Sequence, residues 1–145
     1  LFYLYHMHSF IKHNVENDNI LVFSSILLLI PAYISYQNEM YLHSIVTIFA
    51  ALISCHNWLQ YRKTNKSTII DIYTARLSFI LFFISGCCVV KSYILILFGF
   101  LDAANIGMFY VTSCQTVEDK FTTNMLHFLF HMCVLIGKII VVSNL

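Results

Sequence analysis

Apolar residues in this chain gather into five long, nearly unbroken runs, without the alternation or the three-and-four spacing of elements that keep one face in water. The runs cover residues 20–36, 41–61, 67–90, 93–112 and 124–142. A helix needs about 17 to 25 residues to cross a hydrocarbon core, and each run meets that length. One proline and four glycines leave little material for a sheet-rich or loop-rich fold. In lipid a helix satisfies its own backbone polar groups, so the runs predict helices. Short polar connectors at 37–39, 62–66, 91–92 and 114–123 make sequential helices antiparallel neighbours. The expectation is an all-α, polytopic transmembrane helical bundle of about five spans, forming one domain over residues 1–145. The mixed stretch before Ile20, broken by Lys12, Glu16 and Asp18, reads as an interfacial arm or the tail of a further helix.

Composition supports the same class. Hydrophobic residues make up 59% of the chain and charged residues 10%, and the mean hydropathy is +0.78, outside the range of soluble domains. A net charge of +1, with no dense Lys/Arg cluster, argues against a nucleic-acid partner. The partner implied is the lipid bilayer. Cys55, Cys87, Cys88, Cys114 and Cys133 lie in or beside apolar runs without the spacing of a disulfide framework, so they read as small apolar residues.

Lys and Arg in short loops set orientation. Arg62, Lys63 and Lys66 follow the second run, and Lys12 and Lys120 belong to the same side, whereas Lys91 and Lys138 belong to the other. This places the second and fourth connectors in the cytoplasm. Tyr41, Trp58, Tyr61 and Tyr93 near run ends fit an aromatic belt.

Ionisable groups inside a span are expensive and usually face the bundle interior, which makes each a candidate functional group. At about 1.5 Å per residue, His56 lies roughly 7 Å below Tyr61 and Asp71 roughly 6 Å below Ser67. His127 and His131 lie roughly 5 and 10 Å below Asn124, so four groups from three helices occupy one layer. His127 and His131 stand four apart, on one helix face, where both imidazoles reach a single ion. With His56 they make a three-histidine set that leaves the fourth tetrahedral zinc position for water. Asp71 would orient a ligand or take a proton from that water. Arg76 and Asp102 fall at similar depths and are expected to pair. Lys138 is expected to snorkel to the nearer interface.

The order of these residues, a histidine late in an early span, an aspartate opening the next and H-x3-H on the last, resembles the membrane hydrolase superfamily of alkaline ceramidases, adiponectin receptors and transmembrane lipid-anchor hydrolases. The resemblance implies a zinc ion held by His56, His127 and His131, with Asp71 as the aspartate beside the metal-bound water. It also implies seven helices and a serine four residues before the first histidine. This chain has five apolar runs, and Leu52 at that position.

The function expected is that of an integral, multi-pass membrane protein that hydrolyses lipid amide or ester bonds with zinc at the cytoplasmic interface. Two alternatives stay open: a non-enzymatic subunit or assembly partner of a larger complex, joined by its polar residues, and a haem-binding membrane protein.

Overall fold

Polar connectors separate the apolar runs, and helices joined by short connectors run antiparallel. The structure is a computed structural model, and it describes residues 19–59, 65–115 and 120–144. Among the described residues every run is helical and there is no strand. Helices α1 (Asn19–Leu27) and α2 (Leu29–Gln37) together form the first span. The others are α3 (Tyr41–Leu59), α4 (Asn65–Val89), α5 (Tyr93–Gln115) and α6 (Lys120–Ser143). Among the described residues five spans are long and apolar enough to cross a membrane, and the chain is an all-α, integral, multi-pass membrane protein. The expected arm before Ile20, and Arg62 and Lys63 of the basic connector, lie outside the described residues.

The break in the first span has a local cause. Pro31 has no amide hydrogen for the carbonyl of Leu27, and its ring crowds that carbonyl. The chain tightens there, with the Leu28 amide bonding the carbonyl of Ser25 at 3.2 Å. The same span ends in a Schellman turn: Met40 N–H bonds the Ser35 carbonyl at 2.8 Å and Glu39 N–H that of Tyr36 at 3.1 Å. Glu39 takes the left-handed position at φ 60°, where glycine is the usual residue. The Asn38 side-chain amide donates to the Val142 carbonyl, tying this turn to the end of α6.

The helices meet through small residues. The buried face of α3 is Ser44, Thr47, Ala50, Ala51, Ser54, Asn57 and Trp58, and Ser24, Ser25, Ala32 and Ser35 face it from the first span or lie buried nearby. Lipid tails are as apolar as leucine, so large apolar side chains gain nothing by leaving them, and helices associate by close approach of small residues. Leu42, Ile45, Phe49 and Leu52 accordingly point outward from α3.

Helix α6 occupies the middle of the bundle, against α5, α4 and both halves of the first span, while α3 lies between the first span and α4. Helices α4 and α5 follow one another in sequence yet touch little. They diverge over α6, and the cleft between them is lined by all three helices.

Candidate functional site

The polar residues of the cleft begin with a network on α3 and α4. Asn57 Nδ2 donates to Asp71 Oδ2 at 3.0 Å, and Thr68 Oγ1 donates to Asn57 Oδ1 at 3.0 Å. Ser54 also hydrogen-bonds the Asp71 carboxylate, and Ser25 donates to Ser54 at 3.1 Å. One carboxylate thus gathers donors from α3 and connects, through Ser54, to the first span.

On α6 the two histidines differ. Nδ1 of His131 lies 2.8 Å from Ser24 Oγ, which is itself 3.0 Å from the Leu21 carbonyl. A hydroxyl has one hydrogen, so both contacts are hydrogen bonds only if Nδ1–H donates to Oγ and Oγ–H donates to the carbonyl. That fixes the tautomer and leaves Nε2 with its lone pair. His127 packs edge-on against Trp58 at 4.9 Å and His131 at 5.0 Å between ring centroids. Its Nδ1 is buried with no hydrogen-bond partner among the described residues.

Asp71, His127 and His131 line one cavity of about 340 Å³ in the cleft, together with Ser54, Arg76 and Tyr110. The rest of its wall is largely aliphatic and aromatic. Two imidazoles and a carboxylate in a largely apolar space suit the polar end of an amphiphile.

Three of the four residues expected at a common site are therefore brought together, and His56 is not: its residue is exposed on α3. The reason is angular. Ser54 and Asn57, three apart, share the face turned to Asp71, and His56 is two residues, or about 200°, from Ser54 on a helix of 3.6 residues per turn. Depth along the axis agreed for all four groups, but direction around it did not. Among the described residues no three His, Cys, Asp or Glu side chains are arranged to hold a metal ion. His127 and His131 retain nitrogen donors suited to zinc, but the three-histidine set does not close in this arrangement.

Two other expectations are corrected. Arg76 is exposed and makes no ion pair with Asp102, whose carboxylate instead bonds the Cys133 thiol and lies over Gly137. The cleft separates the two helices that carry them. Lys138 does not snorkel: it is 3% exposed, and its ammonium donates to Ser78 at 2.6 Å and Thr47 at 3.1 Å. Side chains on a helix lean toward its N-terminus, and Lys138 sits near the C-terminal end of α6, so its stem runs inward from the near interface.

Ser24, Asn57 and Thr68 were not singled out from the sequence. Their only signal was a polar residue within or beside an apolar run, which many packing residues of these spans share. Comparison with family models, with curated proteins and with solved structures finds no match for this chain.

Proposed function

We propose that this membrane protein admits the polar end of a lipid into the cleft between α4 and α5 and hydrolyses its amide or ester bond there. The observation that carries this reading is the convergence of Asp71, His127 and His131 on one cavity whose wall is otherwise largely aliphatic and aromatic. A lipid reaches the cavity laterally, without leaving the membrane. Asp71 is the group to take a proton from the attacking water, and the His131 Nε2 lone pair is a second acceptor. In the family this chain resembles, zinc supplies an activated water and polarises the carbonyl. His56 lies outside the cavity, so no step here is assigned to a metal.

A second reading is favoured by the Asp71 network itself. Ser54 and Asn57 already satisfy the carboxylate and join α3 to α4, as they would in a non-enzymatic subunit whose polar residues hold helices together. Asp71→Asn separates the two. Hydrolysis predicts loss of turnover of lipid amides and esters by detergent-purified protein, with thermal stability nearly unchanged. The structural reading predicts no turnover in the wild type and a marked loss of stability in the variant. Metal analysis of the same wild-type sample tests zinc: about one equivalent, lost in His131→Ala, supports the metal form of the reaction, and metal-free active protein excludes it.

A further inference from the structure

Lys138 is the most unusual buried group of the bundle. It lies five residues, about 7.5 Å, before the end of α6 at Ser143, and its stem carries the ammonium deeper. Its partners bracket that depth: Thr47 is about 9 Å from the start of α3 at Tyr41, and Ser78 about 16 Å from the end of α4 at Val89. The third neighbour is the ring of Phe82, 4.6 Å from Nζ to its centroid. Two hydroxyls and an aromatic face accept the ammonium hydrogens, yet none of them carries negative charge. Among the described residues Lys138 has no ion pair.

The charged and titratable groups around it do not supply the missing anion. His43 from α3 bonds Ser85 and packs edge-on against Phe82. Asp102 from α5 shares the cavity wall with Lys138, but its carboxylate is held over Gly137 by the Cys133 thiol. An uncompensated charge at this depth is costly in lipid, and such groups face cavities that bring them a counter-charge. Lys138 faces two: the cavity of Asp71 and the histidines, and a second, smaller one toward the α4–α5 connector, lined by Phe82, Gly86, Leu95 and Gly99. The second wall is apolar apart from Asp102 and Lys138 themselves.

We propose that Lys138, with Thr47 and Ser78, is the head-group site for an amphiphilic carboxylate whose hydrocarbon chain lies in the cleft between α4 and α5. Lys138 and Ser78 also line the cavity of Asp71, but the site needs no reaction there and holds whether or not that reaction occurs. Complementarity selects the occupant: the wall takes a hydrocarbon chain, and the ammonium, the only cation lining the smaller cavity among the described residues, takes a single small anion. A carboxylic acid can enter undissociated from the lipid and, meeting a neutral amine, transfer its own proton to Nζ; meeting an ammonium, the carboxylate forms the same pair. A phosphate head group carries more charge and hydration to the same depth at greater expense.

The test is binding of laurate and of dodecanol, equal in chain length, to the full chain purified in maltoside detergent. A charge-assisted pair predicts laurate binding about ten- to hundredfold tighter than dodecanol. Lys138→Met keeps the length of the stem and removes a lone buried charge, so it should fold, and should bind both equally weakly. Lys138→Gln, which retains hydrogen-bonding capacity, provides a second uncharged variant with the same expected result. Asp102→Asn should bind laurate at least as tightly as wild type. Equal binding of acid and alcohol to the wild type overturns the proposal, as does an acid preference that survives in either Lys138 variant. So does loss of laurate binding in a folded Asp102→Asn variant, which would place the head group at the aspartate.

Discussion

His131 can serve any function only in the orientation that Ser24 gives it. The Ser24 hydroxyl is completely buried and stands between the imidazole and the Leu21 carbonyl. Ser24→Ala leaves a buried Nδ1–H with no acceptor, an omission that costs about 1–3 kcal/mol. The expected outcome is a stability loss of that size and a changed tautomer signature for His131 in nitrogen NMR of the imidazole. An unaltered spectrum would mean that the serine does not hold the ring. At this scale the sequence was legible for groups that are conspicuous in lipid, namely Asp71, His127 and His131, because charge and imidazole are rare there. Ser24 was not legible, since serine inside these spans is as often a small packing residue, as Ser35 and Ser44 are. Lys138 is conspicuous in the sequence, but its proximity to an interface predicts snorkelling, whereas the lean of its stem carries the ammonium inward.

Close approach of helices is the next level, and α5 is held to α6 partly by a single missing side chain. A Cβ added at Gly137 would stand 2.5 Å from Asp102 Oδ2, closer than the atoms permit. Helix propensity alone favours alanine over glycine by about 0.8–1 kcal/mol, while displacing a packed neighbour costs about 1–3 kcal/mol. Gly137→Ala should therefore destabilise the wild type and, once Asp102→Ala has removed the obstruction, should stabilise. Unfolding in mixed detergent micelles reads both, and a change of the same sign in the two backgrounds would refute the contact. The helices themselves were legible, because the length of an apolar run is a direct measure of a span. Their ends were extended in α5 and α6, where polar residues such as Ser113 and Thr122 continue the helix beyond the apolar run. The break at Leu28 interrupts what the apolar run predicts as one continuous helix, and its cause is the missing amide hydrogen of Pro31.

For the whole molecule, the number of spans follows from sequence, whereas the arrangement of helices around α6 does not. Apolar faces turned to lipid and apolar faces turned to a neighbour look alike in composition, so periodicity gives little indication of which face is buried. That is why depth placed His56 beside Asp71 while rotation of α3 turned it away. Orientation in the membrane rests on a different physical signal, the distribution of Lys and Arg, which acts during insertion and is independent of packing. Arg62, Lys63 and Lys66 lie in or beside the connector after α3, whereas the turn between the first span and α3 carries Glu39 and no basic residue. With antiparallel spans these connectors must emerge on opposite sides. In a chain whose five native cysteines are replaced by serine or alanine, a cysteine at Lys63 should be labelled only by reagent supplied from the cytoplasmic side, and a cysteine at Asn38 only from the other. Reversed labelling would invert the molecule, and labelling of both from one side would mean that α3 does not cross. Moving the basic residues tests the cause directly: replacing Arg62, Lys63 and Lys66 with glutamine and adding three lysines around Asn38 should shift part of the population to the inverted orientation. A population that stays in one orientation would show that these charges do not set it.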